Sequence, residues 1–359
     1  MLDQLLKELI RFLESKIEKL DIVVMPDFFL DRLIDPHRNL VAFSKILGEV
    51  VKRKGGNIDD VKQTDVRGGN AVNTASALAA LNMKVIPIVC TSKLGLERMK
   101  LYMKPHRIDL SHVKIFDRAS TTTSIEFRDR NTKVNVMLRD VGALAQFGPH
   151  HLNEEDFELI EKADYVCLFN WAGTKHFGTE LAETVFSRVK TKGKGKTYYD
   201  TADPTTNEDK IPQLVKNVLQ NDNVDILSVN ESEAIIYASE LTDEKSKLKK
   251  NLRLENLAEK SANSLASRLS ARVDLHSTSF SATFTEKGRS IVPALNVPVS
   301  RITGAGDAWN AGNILGDAHG LSDELRLTLA NAVAAYYISS PKAVHPTRKQ
   351  LMEFCERLT

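Results

Sequence analysis

The sequence has little of what nucleic-acid-binding or membrane-spanning proteins need. Its 49 basic and 47 acidic residues leave a formal net charge of +2. Such a balance provides no concentrated basic face of the kind that a polyanionic partner requires. No stretch is long and apolar enough to span a bilayer. The composition therefore argues against nucleic acid and against a membrane as partners.

Cysteine is also scarce. The three cysteines, Cys90, Cys167 and Cys355, lie far apart and have no metal-ligand spacing. Cys90 and Cys167 fall inside the apolar runs VIPIVC and YVCLF, which predicts buried, inert thiols. Because no disulfide framework is present, we expect a reducing, cytoplasmic location.

A dinucleotide-binding motif is missing as well. The first apolar run, DIVVM at 21–25, is not followed by G-x-G-x-x-G, which disfavours a nicotinamide-dependent oxidoreductase. Residues 1–20 have acidic residues among their apolar positions, so they contain no uninterrupted signal-peptide core. The leucines there recur at helical spacing. This pattern predicts an amphipathic helical extension, docked on the body of the protein or on a second subunit.

The rest of the chain, 21–359, alternates short apolar runs with helical patterns. Such alternation predicts three α/β/α layers, in which helices cover both faces of a mostly parallel sheet, and the length allows one large domain or two ordinary ones. The predicted strands are 21–25, 85–90, 165–170, 197–200 and 225–230.

Two segments break this alternation and predict a lid. Residues 57–67 and 121–138 are polar and β-prone, which suits an antiparallel accessory sheet with one face in water. Residues 37–56 have the pattern of an inserted helix. We therefore predict a small β-sheet lid from about 35–67 and 121–142. Two solvated hairpins without a role would have the same pattern.

The most informative motif is the run RITGAGDAWNAG at 301–312. Gly304 and Gly306 allow a tight turn and a close approach to a ligand. A helix that begins near Asp307 directs its free N–H groups and its dipole at the same place. A transferring phosphoryl group would be stabilised there, and Asp307 could accept the proton of an attacking hydroxyl. An ordinary helix start is the alternative interpretation.

With this motif and three others, the sequence resembles the PfkB, or ribokinase-like, carbohydrate and nucleoside kinases. The matching runs are Gly304–Trp309, the glycine pair and alanine-rich helix from Gly68, Asn230-Glu-Ser-Glu233, and Asp200 at the end of a strand. Their order and spacing agree with the family over residues 21–359. The resemblance implies a ribokinase-like fold with a lid. It also implies transfer of the terminal phosphoryl group of a nucleotide, ATP in the first instance, to a hydroxyl of a sugar or sugar derivative.

The resemblance also implies roles for particular residues. Asp307 would be the general base, and the amides of Ala305, Gly306 and Asp307 would form an anion hole, with Gly304 as a further catalytic residue in the turn before them. Asn230 and Glu233 would organise Mg²⁺ and its waters. The remaining candidates bind the substrate (Asp31, Gly68, Gly69, Asn73 and Arg139) or the nucleotide (Asn230, Thr278, Ser281 and Asn331).

The chain also departs from the family pattern, mainly on the nucleotide side. Arg301-Ile302-Thr303 replaces a common Asp-Thr-Thr, and the stretch 276–281, HSTSFS, lacks the glycines of the usual nucleotide loop. Pro26 stands where a glycine is usual. ADP or another nucleotide is therefore a secondary hypothesis for the phosphate donor.

Several alternatives stay open at this level. The acceptor could be a neutral sugar, a nucleoside, a sugar acid or a sugar phosphate. Arg67, Arg128, Arg139 and the pair Lys175-His176 could favour an anionic one. The chain could also be a nucleoside kinase, or a non-catalytic binding protein of the same fold. A homodimer is possible but is not decided by the sequence.

Overall fold

The computed structural model describes residues 2–106, 108–129, 132–242, 253–342 and 344–359. Its strands are β1 (Asp21–Met25), β2 (Phe29–Asp35), β3 (Lys62–Gly68), β4 (Lys84–Pro87), β5 (Cys90–Ser92), β6 (Lys114–Phe116), β7 (Ser120–Asp129), β8 (Thr132–Asp140), β9 (Tyr165–Phe169), β10 (Lys196–Asp200), β11 (Ile226–Val229), β12 (Arg272–His276), β13 (Phe280–Thr285) and β14 (Gly288–Pro293). Its helices are α1 (Leu2–Glu14), α2 (Leu40–Lys52), α3 (Asn70–Ala80), α4 (Lys93–Met103), α5 (Glu154–Lys162), α6 (Gly178–Lys192), α7 (Ile211–Leu214), α8 (Glu231–Thr242), α9 (Leu254–Ala266), α10 (Ala305–Ala318), α11 (Asp323–Ser339) and α12 (Arg348–Glu356).

The central sheet has the strand order β14-β13-β12-β11-β10-β9-β1-β4. From β12 to β4 every neighbouring pair is parallel, and only β13 and β14 add an antiparallel hairpin at one edge. The predicted mostly parallel sheet is confirmed.

Two cores lie on opposite faces of this sheet. Successive side chains of a strand point to opposite faces, and β1 follows this rule. Val23 and Met25 belong to one buried cluster, and Ile22 and Val24 belong to the other. Helices cover both faces, so the three-layer α/β/α architecture is confirmed. The three cysteines are buried and free.

A second sheet, with the order β3-β2-β7-β8, stands apart from the central one. It begins at Phe29, earlier than the predicted lid boundary near 35, and α2 is inserted between β2 and β3. The sheet is not wholly antiparallel as predicted, because β2 and β7 pair in parallel. Each of these two strands also has an antiparallel neighbour: β3 pairs with β2, and β8 pairs with β7. The turn between β7 and β8, residues 130–131, lies outside the described residues.

The N-terminal helix α1 docks on the body of its own chain. Its apolar stripe, Leu6, Leu9 and Leu13, is buried in the core that also includes residues of α11 and α12. Arg348 at the start of α12 donates to the carbonyl of Leu13. In the described part of the chain, no helix is long and apolar enough to cross a membrane.

The parallel strands position the candidate site. Their carboxyl ends meet at one edge of the sheet, where ligands bind in open α/β folds. Met25, Phe169, Asp200, Val229 and His276 are the last residues of β1, β9, β10, β11 and β12, respectively. The segments that follow these strands carry polar side chains to a common cleft.

Candidate active site

The first turn of α10 presents a buried carboxylate. Gly304 precedes this helix with φ of 87°, in the left-handed region. A Cβ at this position would lie 2.7 Å from the Tyr337 hydroxyl, so the turn requires glycine on two grounds. Asp307 follows in the first turn and is only 7% exposed. Residues 301–312 therefore form the predicted structure: a tight turn at the glycines is followed by a helix that carries Asp307.

Two amides from α3 hold the Asp307 carboxylate. Asn70 Nδ2 lies 3.0 Å from Oδ1, and Asn73 Nδ2 lies 2.9 Å from Oδ2. Burial raises the pKa of Asp307 well above its ordinary value, and the two amide donors oppose that rise. A carboxylate with a raised pKa is a better proton acceptor than an ordinary aspartate. Asn70 belongs to the glycine-pair motif, but the sequence analysis did not assign it to the site.

Asp27 fixes the start of α3. Its carboxylate accepts hydrogen bonds from the backbone N–H groups of Asn70 (2.9 Å) and Ala71 (2.8 Å) and from Asn170 Nδ2 (2.7 Å). It thereby satisfies helix N–H groups that have no partner within α3. Gly69, with φ of 94°, leaves room for this segment, since a Cβ would lie 2.8 Å from Phe28 Cα. Sequence reasoning missed Asp27 because no local pattern links it to α3.

Not all of the predicted N–H donors at the start of α10 are free of hydrogen bonds within the protein. The Ala305 N–H donates to the Ile302 carbonyl at 3.1 Å, so it is not free for a ligand. Within the described residues, the N–H groups of Gly306 and Asp307 have no acceptor. Two of the three predicted donors therefore remain available.

Asp31 approaches from the second sheet. It lies on β2, and a Cβ on Gly68 would come within 2.1 Å of its Oδ2. Gly68 is therefore the residue that makes room for this carboxylate. Burial raises the pKa of Asp31 to about 6. In the described part of the protein its Oδ1 is buried without a hydrogen-bond partner.

A cavity of about 370 Å³ lies between the second sheet and the sheet edge. It brings together most of the residues that the sequence analysis assigned to the acceptor and to catalysis. The predicted residues that line it are Asp31, Gly69, Asn73, Arg139, Asn230, Glu233, Gly304, Gly306 and Asp307. Arg139 reaches it from β8, with its guanidinium 5.1 Å from the centre of the Phe29 ring.

Carboxylates cluster at one end of this cavity. Glu233 accepts from the backbone N–H of Asn230 (2.9 Å) and from its Nδ2 (2.7 Å), and Asn230 Oδ1 accepts from the Glu233 N–H. This reciprocal arrangement caps α8. Burial, together with the nearby Asp200 carboxylate, raises the pKa of Glu233 well above its ordinary value. A cation at this end would relieve that repulsion.

A second cavity, of about 320 Å³, lies on the other side of Gly306 and has a mainly apolar lining. Thr278 and Asn331, two of the predicted nucleotide residues, line it. His276 borders both cavities and packs against Trp309, with ring centres 5.0 Å apart. The start of α10 is thus the junction between the two cavities.

Ser281, a predicted nucleotide residue, is buried beneath the second cavity. Ser281 is 1% exposed and lines neither cavity. Its hydroxyl donates to Asn331 Oδ1 (2.6 Å) and accepts from Trp309 Nε1 (2.9 Å). Ser281 lies on β13, which turns its side chain into the core beneath the cavity. It orients Asn331 and Trp309 and does not reach the cavity.

A match to a family model over most of the chain identifies the family of this protein. The family model of the pfkB family carbohydrate kinases matches residues 39–350. The chain belongs to this family. It is therefore a kinase that uses an alcohol group as phosphoryl acceptor, in a family that acts on sugars and nucleosides. No curated protein matches the chain.

Solved structures show the same fold. The chain is similar to a fructokinase with bound ATP from Xylella fastidiosa, with 14% identity, 95% of this chain and 99% of that one covered, and a TM-score of 0.70. It is also similar to an adenosine kinase from Sinorhizobium meliloti (16% identity, 95% and 100% covered, TM-score 0.70). A ribokinase from Cryptococcus neoformans in complex with ADP is a third (15% identity, 94% and 99% covered, TM-score 0.69). These likenesses confirm the ribokinase-like fold.

Proposed function

We propose that this chain transfers the terminal phosphoryl group of ATP to a hydroxyl of a sugar or sugar derivative, with Asp307 as general base. The observation that carries the proposal is the position of Asp307. Its carboxylate is buried at the first turn of α10, at the junction of a polar and an apolar cavity and beside two N–H groups that have no acceptor in the described part of the chain. Proton transfer and anion stabilisation can therefore occur at one place.

The reaction needs one proton acceptor and one place for negative charge. The acceptor hydroxyl gives its proton to the Asp307 carboxylate while its oxygen forms a bond to the terminal phosphorus. The bond from that phosphorus to the bridging oxygen breaks, and the nucleoside diphosphate leaves. The N–H groups of Gly306 and Asp307 would donate to the phosphoryl oxygens, and Asn70 and Asn73 would keep the carboxylate in position.

Mg²⁺ fits the acidic end of the polar cavity. In the described residues, no three His, Cys, Asp or Glu side chains form a metal cluster. Both Glu233 oxygens already accept from Asn230. The site therefore suits an ion that keeps its waters and binds the nucleotide phosphates. Asp200, Asn230 and Glu233 would hold Mg²⁺ through that water shell, and the bound ion would offset charge on the phosphates.

The apolar cavity suits the base of the nucleotide. Trp309, Ala334 and Ile338 supply apolar surface, and Thr278 and Asn331 supply polar groups. His276 lies between the two cavities, and its Nε2 has no partner in the described structure, so it can meet a phosphate oxygen. ATP is the proposed donor, and ADP is the alternative to be tested beside it.

The polar cavity favours a sugar over a nucleoside. Asp31, Asn70, Asn73 and Asn170 line it with hydrogen-bonding side chains. Hydroxyl groups along a sugar match such a lining. A nucleoside would need an apolar wall for its base, and among the described residues that line this cavity Phe29 is the one phenylalanine, tyrosine or tryptophan.

Turnover of nucleotide with pooled acceptors tests the proposal. Purified protein with Mg²⁺ is assayed with ATP and with ADP against sugars, nucleosides, sugar acids and sugar phosphates. Replacing the base by Asp307→Asn should reduce kcat by about 10²–10⁴-fold. The exposed Asp209→Asn serves as a matched control and should leave kcat unchanged. No turnover with any pool and no magnesium-dependent nucleotide binding would favour a non-catalytic binding protein instead.

A further inference from the structure

A third cavity extends the acceptor site away from the nucleotide. Its volume is about 310 Å³, and it shares Asp31, Leu33, Asn73 and Thr303 with the polar cavity. An acceptor whose hydroxyl meets Asp307 can therefore continue into this space. The walls of the extension are formed by β3, the segment 301–303 and the end of α11.

Arg67 is a cation without a carboxylate partner in this extension. Its Nε donates to Asn73 Oδ1 at 3.0 Å, and its Nη2 lies 3.3 Å from His345 Nδ1. Among the described residues, no carboxylate lies within salt-bridge distance of its guanidinium. Burial lowers the pKa of Arg67, and the Arg301 guanidinium lowers it further. A guanidinium whose hydrogen bonds go only to neutral groups retains its capacity to bind an anion.

Two further cations reach the same space. The Arg301 guanidinium lies over the Tyr337 ring, 5.9 Å from its centre, and Lys342 lies at the rim. In the part of the chain that the structure describes, neither side chain forms a salt bridge. Like charges gathered without counter-ions repel each other, and an anion between them relieves that repulsion.

Among the described residues, no salt bridge joins Asp31 or Asp65 to Arg67, Arg301 or Lys342. Asp65 pairs with Arg32 at 2.7 Å and lies 3.8 Å from Arg98. Asp31 borders the acceptor cavity as well, and Glu126 lies on β7 of the second sheet. Arg301 and Lys342 therefore face the cavity from the body of the protein, whereas Arg67 on β3 and the acidic side chains reach it from the second sheet.

We propose that the acceptor of this kinase carries a terminal oxyanion group, a phosphate or a carboxylate, bound by Arg67, Arg301 and Lys342. The inference rests on the proposed function, because it places the acceptor hydroxyl at Asp307. The substrate class is then a sugar phosphate or a sugar acid, and an uncharged sugar or nucleoside is a poor substrate. Planar guanidinium groups bind both kinds of oxyanion through paired hydrogen bonds.

Steady-state kinetics with matched acceptors tests this inference. Sugar phosphates, sugar acids and the corresponding neutral sugars of the same chain length are compared, and the two anionic arms decide between phosphate and carboxylate. We expect Arg301→Gln and Lys342→Gln to raise the KM of the anionic acceptor about ten- to a hundred-fold, as expected for lost charged hydrogen bonds. Arg289→Gln, an exposed arginine paired with Glu259, is the matched control and should leave that KM unchanged.

Because Arg301 also borders the apolar cavity, the KM of the nucleotide is measured in parallel. A preference for neutral acceptors, or variants that change only the nucleotide KM, would overturn the inference while leaving the kinase function intact. Absence of turnover with every acceptor would count against the proposed function itself. Calorimetry with inorganic phosphate and saturating ADP then decides the inference separately. Binding that Arg67→Gln and Arg301→Gln weaken supports it, and no such difference overturns it.

Discussion

Asn73 Nδ2 donates to Asp307 Oδ2 across 2.9 Å, and Arg67 determines which way the Asn73 amide faces. The guanidinium has donors only, and it donates to Asn73 Oδ1 at 3.0 Å. The amide nitrogen must then face Asp307. A side chain from β3 thus orients a side chain of α3, which in turn holds the proposed base on α10.

The first prediction concerns the pH dependence of this base. The Asn73 amide donor lowers the pKa of Asp307 against the rise caused by burial. Activity requires the ionised carboxylate, so it should increase as pH rises through the pKa of Asp307. Removing the donor by Asn73→Ala should raise that pKa and move the acidic limb of the kcat/KM profile to higher pH.

The matched control for this measurement is Asn263→Ala, an exposed position on α9. It should leave the profile in place. An acidic limb that stays where it is in the Asn73 variant would mean that another group controls the limb. Asp307 would then lose its support as the titrating base.

Alanine substitutions at two glycines, Gly68 and Gly48, distinguish the effect of close packing from the effect of helix propensity. Gly68→Ala places a Cβ within 2.1 Å of Asp31 Oδ2, so Asp31 must move away from the acceptor cavity. We expect a higher KM for the acceptor and a lower Tm. Gly48→Ala, in α2, meets no atom within 4 Å and should raise stability by roughly 0.5–1 kcal/mol. Equal effects of both changes on the acceptor KM would contradict the proposed role of Asp31.

Asp31 gives the second pH prediction. Burial raises its pKa to about 6. Below that value the protonated carboxyl accepts fewer hydroxyl hydrogen bonds, so the KM of the acceptor should fall as pH rises from 5 to 7, a window set about that pKa. Asp31→Asn should abolish this pH dependence and raise the KM, with the nucleotide KM unchanged. A pH dependence of KM that persists in the variant would assign the titration to another group.

Much of the fold could be predicted because its signals are local. The run DIVVM is apolar after Asp21 and becomes β1 over the same residues, and the alanine-rich helix predicted with the glycine pair begins at Asn70. The edge hairpin of β13 and β14 was not predicted, since its pattern FSATFT and GRSIVP mixes polar and apolar residues without a clear period. Parallel pairing of β2 with β7 joins segments distant in sequence, and no local pattern specifies it.

The site could be predicted only where a motif carried it. Asp307, Gly304 and Asn73 stand in recognisable runs, and the structure places them together. The contribution of Asp27 depends on contacts between segments far apart in the chain, with Ala71 and Asn170 as examples. Ser281 was assigned to the nucleotide because it lies in the expected loop, but the direction of its side chain on β13 was not readable from sequence.

The magnesium proposal yields a prediction at Glu233. Glu233→Gln keeps a side chain that can accept from the Asn230 N–H, so α8 should stay capped. The substitution removes the negative charge of Glu233 beside Asp200. We therefore expect the magnesium concentration for half-maximal turnover to rise about ten-fold or more. Titrating turnover with Mg²⁺ measures this. Glu255→Gln, near the start of α9, is a control that should leave the titration unchanged, and an unchanged titration for Glu233→Gln would argue against its part in holding the ion.

The last prediction concerns what holds α10 in place behind the site. Arg326 of α11 is 1% exposed and donates to Asp274 Oδ2 at 3.0 Å and to Asn313 of α10. Burial opposes ionisation of Asp274, but the guanidinium groups of Arg272 and Arg326 hold its pKa below the ordinary value. Because that pKa is lowered, the stability it contributes is present near neutral pH and is lost as pH falls.

The substitution Arg326→Leu leaves the buried Asp274 carboxylate with one partner fewer. We expect a loss of about 3–5 kcal/mol in the free energy of unfolding, the usual cost of breaking a buried pair. The pKa of Asp274 should rise, so acid unfolding should begin at higher pH than in the unmodified protein. Denaturant titrations at several pH values measure both effects, with the exposed Arg268→Leu as control. Stability that is unchanged at neutral pH would show that Arg272 alone compensates Asp274, and that α10 is held by its apolar packing.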